Sequence, residues 1–273
     1  MPLSKKEEKQ ILDLVRKEPV TIQAVANTID KNWRTADKYV KKISRQTGLI
    51  DVKVFREGTR GALKIVYWNA LEPERNDSYQ QRVFETIKNS TRKQDFSPLS
   101  IYQFVADDER EAYKEEEEHP EDSPIYFSTV FQEAEETIKI FSGNLSWASE
   151  NEDMIRCLKD RAEDGISVKI LSRVDLTNQD VVEDLLVKND TLKKDMIEIK
   201  HCEMPVRGVL VDDELVLKEV YTEELYPEMD KDYYTWYRIK EGYWTRWMER
   251  VFWHFWETSV DAKKRLDAIK TVS

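Results

Sequence analysis

The stretch NWRTADKYVKKISRQTG, residues 32–48, carries five Lys or Arg against a single Asp, although the whole chain has a formal net charge of −11. Asn32 suits a helix N-cap and Gly48 a helix stop, so the sequence predicts one helix between them. At about 100° per residue, Trp33, Ala36, Val40 and Ile43 fall on one face. Arg34, Lys38, Lys42 and Arg45 project from the opposite face, with Thr35 and Lys41 at its edges. The apolar stripe, Trp33 included, is expected to pack inward and the cationic stripe to face out.

Working outward, Ser4 can cap KKEEKQILDLVRKE, in which Ile11, Leu12 and Val15 recur at helical spacing, and the Glu18-Pro19 pair ends that helix. Thr21 caps IQAVANTI, with Ile22, Val25, Ala26 and Ile29 on one side, before a turn at Asp30-Lys31. After Gly48, the runs LIDVKVFREG and TRGALKIVYW alternate apolar and polar residues around Gly58 and Gly61, which reads as a β-hairpin. Three helices and a hairpin over residues 1–70 make the plan of a winged helix-turn-helix. An α-helix fits the major groove of duplex DNA, where cations neutralise phosphates. The expected DNA-contacting set is therefore Asn32, Arg34, Thr35, Lys38, Lys41, Lys42 and Arg45 on the helix, with Arg56, Arg60 and Lys64 on the hairpin clamping the flanking backbone. A solvated charged helix, or a winged helix used to dock another protein, are the competing readings.

Charge is divided along the chain. Residues 1–70 hold 15 Lys+Arg and 8 Asp+Glu, a net of +7, and residues 71–273 hold 28 and 46, a net of −18. A cationic module on an anionic body is the pattern expected when one end alone meets nucleic acid. At 273 residues and 40% hydrophobic content the chain can build real cores, and no apolar run approaches a membrane span, so a cytoplasmic location is expected. Cys157 and Cys202 lack metal or disulfide spacing, three scattered histidines suggest no metal site, and the seven glycines form no phosphate-cradling loop, so no cofactor is expected.

Residues 71–124 read as a junction: a helix in SYQQRVFETIKNS, a short one near Ser97-Pro98, then DDEREAYKEEEEHPEDSP, with ten acidic residues and two basic ones, expected to stay solvated and to divide the chain. Residues 125–273 alternate helices and strands and predict a central sheet covered by helices, an α/β sandwich. The run IKIFSGNLSWASENEDMIRCLKDRAEDGISVKILSRVD, followed by VRGVLVDDELVLK, resembles one repeat of the phospholipase-D-like fold, as in archaeal TrmB-type transcription regulators that also carry an N-terminal winged helix. Active phospholipase-D-like enzymes carry His-x-Lys-x4-Asp. By spacing, Pro205, Arg207 and Asp212 stand in those three places, and proline offers no nucleophile. The resemblance therefore implies a vestigial site at Arg207 and Asp212 that keeps an anion-binding guanidinium for a small anionic or sugar-like effector. The other reading is an ion pair of Arg207 with Asp212 or Asp213.

The C-terminal segment YYTWYRIKEGYWTRWMERVFWHFWETSVDAKKRL holds five of the chain's eight tryptophans, and a helix from about Tyr243 carries a broad apolar face. So wide an aromatic band suggests both a core helix and a homodimer contact. Together these readings describe a sequence-specific duplex-DNA-binding transcription regulator whose second domain is catalytically inactive and serves dimerisation or effector sensing. The rivals are a phosphodiesterase or nuclease guided by its winged helix, and an adaptor protein.

Overall fold

The computed structural model describes residues 3–17, 19–56, 62–68, 78–116, 127–149, 152–221 and 233–272. The chain divides into two compact units, Met1–Glu72 and Pro73–Ser273.

The first unit runs α1 (Lys5–Lys17), β1 (Val20–Thr21), α2 (Ile22–Thr28), α3 (Trp33–Thr47), β2 (Ile50–Arg56) and β3 (Ala62–Trp68). Local chemistry sets each boundary. Ser4 and Glu7 form a reciprocal cap: the Ser4 backbone N–H donates to the Glu7 carboxylate (2.9 Å), and the Glu7 N–H donates to Ser4 Oγ (3.3 Å). Thr21 Oγ1 accepts from the Ala24 N–H at 3.1 Å to start α2. The hairpin of β2 and β3 pairs antiparallel from Ile50↔Trp68 to Arg56↔Ala62, and β1 adds to the far side of β3, giving the order β1-β3-β2. Ile11, Val15, Ile22, Val25, Ala26, Val40, Ile43, Ile50 and Val66 close a core at the centre of this unit.

The second unit is mixed α/β around an eight-stranded sheet. Its elements are α4 (Ser78–Lys88), α5 (Leu99–Tyr102), β4 (Arg110–Glu116), α6 (Phe127–Gln132), β5 (Thr137–Phe141), α7 (Ser146–Ser149), α8 (Glu152–Glu163), β6 (Ser167–Ser172), α9 (Gln179–Leu192), β7 (Ile197–His201), β8 (Gly208–Val211), β9 (Glu214–Tyr221), β10 (Tyr233–Ile239), α10 (Gly242–Thr258), β11 (Val260–Asp261) and α11 (Ala262–Val272). The strand order is β11-β7-β6-β5-β8-β9-β10-β4. Strands β5, β6 and β7 are parallel and joined by helical crossovers, whereas β8 runs antiparallel to β5. One sheet face, with Ile138, Ile140, Val168, Ile170, Ile197 and Ile199, packs on residues of α6, α8, α9 and α11.

The other face carries the polar half of each strand's alternation, and α10 covers it. Lys139 of β5 reaches Glu249 at 3.0 Å, and Phe141 stacks edge-on against Phe252 with centroids 5.3 Å apart. Lys169 lies 5.1 Å and Lys200 4.8 Å from the Trp256 ring. Lysines that alternation would send to solvent are thus capped by indole faces, which accept cations. All of Trp244, Trp247, Trp253 and Trp256 are at most 7% exposed within the single chain. This corrects the expectation that the aromatic band is too wide for one sheet face: the band is used up inside the chain, and its tryptophans are not presented to a second copy.

The junction also differs from expectation. Helices α4 and α5 and strand β4 belong to the second unit, and β4, drawn from the acidic run, pairs with β10 from Tyr233↔Glu116 to Ile239↔Arg110. An edge strand tolerates charge because one flank faces water. Tyr113 packs against the core and its hydroxyl donates to the exposed Glu111 carboxylate, two residues away on the same strand face, at 2.7 Å, so backbone pairing and one aromatic anchor hold a run whose composition reads as solvated. The rest of that run, residues 117–124, lies outside the described residues.

Candidate functional site

In α3 the cap residue Asn32 accepts the Thr35 N–H at 2.9 Å, and Gly48 ends the helix with φ 63°, its N–H donating to Ser44 O at 2.8 Å. A left-handed residue at that point is where glycine costs least. Ala36, Tyr39, Val40 and Ile43 are buried. Arg34, Lys38, Lys41, Lys42 and Arg45 are exposed along one side of the helix, and Thr35 is half-buried beside Arg34. Among the described residues, Arg34, Lys38 and Lys42 make no ion pair. Their charge is left for solvent or for a ligand.

Two expected positions differ. Trp33 is 39% exposed and does not hold the core. As the first residue of the helix it lies one turn short of the packed stripe, and its ring instead faces the Lys64 ammonium at 5.0 Å. Lys64, assigned to a phosphate clamp by sequence, bonds Asp37 at 2.6 Å, and Lys41 approaches the other Asp37 oxygen at 3.3 Å. Burial alone would raise the Asp37 carboxyl, but the two ammonium groups outweigh it and hold the carboxyl below the usual carboxylate range. Lys64 therefore joins the hairpin to α3 and is not a presented cation. The Arg56 side chain and Arg60 lie outside the described residues.

In the second unit, a cavity of about 660 Å³ opens where β5 lies between parallel β6 and antiparallel β8. Such a switch point, beyond the carboxyl ends of parallel strands, is where open α/β sheets hold ligands. The loop after β5 builds its floor. Ser142 Oγ accepts the Leu145 N–H (3.1 Å) and the Trp147 indole N–H (3.0 Å), and Asn178 donates to Asn144 O (2.8 Å) and Arg173 O (2.7 Å), tying the ends of β5 and β6 together. Gly143 lies close under the guanidinium: a Cβ there would stand 2.8 Å from Arg207 Nε and would push that side chain aside.

Arg207 enters this cavity just before β8. Its Nη1 donates to the carbonyls of Met204 (2.6 Å) and Val206 (2.8 Å). No carboxylate pairs with it among the described residues. Burial, reinforced by the like charge of Arg173, pushes its pKa down to about 10. The lining includes four further cations, Arg92, Lys93, Arg173 and Lys218, and one acid, Glu203. Sequence reading placed Arg207 here but missed Arg173, Lys218, Trp147 and the turn at residues 91–94. Only the parallel register of β5 with β6, which sets Phe141 beside Leu171, puts Arg173 next to Gly143.

Asp212 is elsewhere. It follows β8 with φ 46°, and its carboxylate accepts the backbone N–H groups of Glu135 (2.7 Å), Glu136 (3.1 Å) and Thr137 (2.8 Å). It pins the start of β5, at the end of the sheet opposite Arg207. Five residues of strand span roughly 16 Å. Neither the joint Arg207–Asp212 site nor an ion pair between the two survives. His201 is committed too, its Nδ1 accepting the Val174 N–H at 2.9 Å, and burial holds its pKa low. Among the described residues no cluster of three His, Cys, Asp or Glu side chains is placed to hold a metal, and no helix is long and apolar enough to cross a membrane.

No protein-family model matches the chain, and no curated protein matches it by sequence. Among solved structures, it is similar to Nuc, a phospholipase D family member from Salmonella typhimurium, at 10% identity over 56% of this chain and 98% of that one, with a TM-score of 0.42. It is similar to NucT from Helicobacter pylori at 14% identity over 56% and 99%, TM-score 0.42. TrmBL2, an archaeal chromatin protein, aligns at 13% identity over 94% of both chains, TM-score 0.39. Likenesses this distant carry no role across to this chain.

Proposed function

We propose that this chain is a transcription regulator that binds duplex DNA through α3 of a winged-helix first unit, with a second unit that senses a small molecule and performs no phosphodiester chemistry. The observation that carries the reading is the set Arg34, Lys38 and Lys42, exposed on one side of a doubly capped helix without ion-pair partners among the described residues. An α-helix enters the major groove, where Arg34 and Thr35 in the first turn are placed to meet base edges while Lys38, Lys41, Lys42 and Arg45 follow the phosphates. Lys64 supports this surface by fixing the hairpin onto Asp37. Sequence-specific operators read by a pair of copies belong to the same proposal, with α3 helices on half-sites a whole number of turns apart.

The enzyme reading is disfavoured by the second unit's own chemistry. Pro205 stands in the nucleophile place, the described residues of the cavity lining include no histidine, and Asp212 is spent on backbone donors. The test is duplex retention by fluorescence anisotropy across a salt series, with wild type against an R34A/K38A/K42A variant. Retention that weakens with salt and is lost in the variant supports the proposal. Absence of duplex affinity in the wild type would favour the adaptor reading.

A further inference from the structure

A buried cation needs a counter-charge, and among the described residues no carboxylate supplies one to Arg207. Its guanidinium is partly buried, satisfied by two carbonyl oxygens on one nitrogen alone, and set beside a second arginine. Moving a cation out of water without a carboxylate is unfavourable, and a like charge nearby makes it more so. Elsewhere in this unit several cations meet carboxylates: Lys139 meets Glu249, Lys169 meets Glu198 and Arg238 meets Glu214. At the mouth of β5 the chain collects Arg207, Arg173, Lys218, Arg92 and Lys93 around one cavity, with Glu203 in its lining and Asp175 paired to Arg173 at 2.9 Å. These come from four separate segments, so the convergence is a property of the fold and not of a local basic run.

We infer that this cavity binds a small phosphate ester, its phosphate group held between Arg207 and Arg173 above Gly143 and its organic part lying against Trp147 and Tyr234. Guanidinium forks match phosphate oxygens, and Arg207 keeps Nε and Nη2 on the Gly143 side for that purpose. Gly143 leaves the space, since any side chain there would press on the guanidinium. The volume suits a molecule the size of a mononucleotide or a sugar phosphate, within the roughly 300–1,000 Å³ of small-molecule sites. The aromatic flank supplies apolar contact, with the Lys218 ammonium 3.8 Å from the Tyr234 ring centroid. A long polyanion is not the matching partner, because residues 71–273 carry a net −18 that repels a strand outside the cavity while a short ester meets only the local cations. The inference deepens the sensing role proposed for the second unit and does not depend on DNA binding.

The experiment uses the full chain, isothermal titration calorimetry and thermal melting, with inorganic phosphate, AMP, adenosine and a short single-stranded oligonucleotide as probes. Phosphate and AMP are expected to bind and raise the melting temperature, AMP more tightly, and adenosine not to bind. Arg207→Gln should weaken AMP by about 10- to 100-fold, the effect of losing a charge-assisted hydrogen-bonding group. Without ligand that variant should melt at the wild-type temperature or above, because it removes an unpaired buried charge. Gly143→Ala, which displaces the guanidinium but keeps its charge, should weaken AMP as well. No binding of phosphate or AMP, equal binding of adenosine and AMP, or an Arg207→Gln variant that melts lower and binds AMP unchanged would each overturn the inference. Arg207-dependent binding of the oligonucleotide without AMP binding would overturn the small-ester assignment. Duplex retention by Arg207→Gln should equal that of the wild type, so either proposal can fail while the other stands.

Discussion

Replacing Arg34, Lys38 and Lys42 with alanine removes three exposed cations that no described carboxylate neutralises, and leaves Ala36, Tyr39, Val40 and Ile43 untouched in the core. Each phosphate contact contributes about 0.9 to the slope of log affinity against log salt on B-DNA, so losing Lys38 and Lys42 from the phosphates should make the variant's slope shallower by about 1.8. Between 50 and 200 mM salt, that missing slope means the variant loses roughly 12-fold less affinity than the wild type does. Alanine is the best helix former, and the sites are solvated, so the melting transition should not fall. Fluorescence anisotropy of a labelled duplex at four or more salt concentrations reads the slope. A counter-variant sharpens the test. Lys64→Ala removes a cation from the same unit, but one bonded to Asp37 at 2.6 Å and stacked on Trp33, so it should lower stability while leaving the salt slope close to wild type. A folded triple variant with an unchanged slope refutes the reasoning, as does a Lys64→Ala variant that flattens the slope without loss of stability.

Other outcomes follow from the same contacts. The Asp37 carboxyl is held low in the folded chain, so its contribution is present above the unfolded carboxylate range and lost as pH falls through the folded value. Hydrogen-exchange protection factors in residues 3–68, corrected for the intrinsic pH dependence of exchange, should fall on acidification in the wild type, and Asp37→Asn should be less protected at neutral pH and flatter toward acid. Asp212→Ala strips the acceptor from three backbone N–H groups and should cost about 1–3 kcal/mol in urea unfolding, while Asp212→Asn, which tolerates φ 46°, should recover part of it; neither should alter AMP binding. Trp253→Ala opens a cavity beside Lys139 and should cost about 3–5 kcal/mol, with sedimentation showing the same association state as the wild type. A change of association state would restore the tryptophan band as an interface.

Where residue pattern and local chemistry coincide, the fold was legible. Strands β5 to β9 announce themselves by alternation between helical runs, and Thr21, Asn32 and Gly48 mark their helix ends as capping chemistry requires. Strands β4 and β10 were missed, and they pair with each other. The composition of β4 carries one apolar anchor, Tyr113, and no apolar alternation, and β10 merges in sequence with the tryptophan-rich helix after it. Both are stabilised by a ladder that neither segment encodes alone. Helical spacing put Trp33 with Ala36, Val40 and Ile43 on one stripe but could not say that the first residue of α3 lies beyond the core. The spacing His-x-Lys-x4-Asp led to Arg207 but misled on Asp212, because five residues along extended β8 carry the chain to the opposite end of the sheet.

What sequence could not distinguish is a cation that builds the fold from one held out for a ligand, since that depends on partners brought in from other elements. Lys64 and Lys38 look alike in the chain, yet Asp37 neutralises the first and nothing described neutralises the second. On an exposed helix an unpaired cation costs little, so Arg34, Lys38 and Lys42 persist as a surface whose charge acts within the ~10 Å reach of screened electrostatics at 0.1 M salt. Under partial burial the cost rises, which is why Lys139, at 2% exposure, sits on Glu249 and an indole. Arg207 breaks that rule in the place where three strands end and four other cations converge. A fold that sets Lys139, Lys169 and Arg238 on carboxylates and leaves the Arg207 guanidinium on two carbonyls, among the described residues, has left the counter-charge to be supplied from solution, and the phosphate titration asks whether that is so.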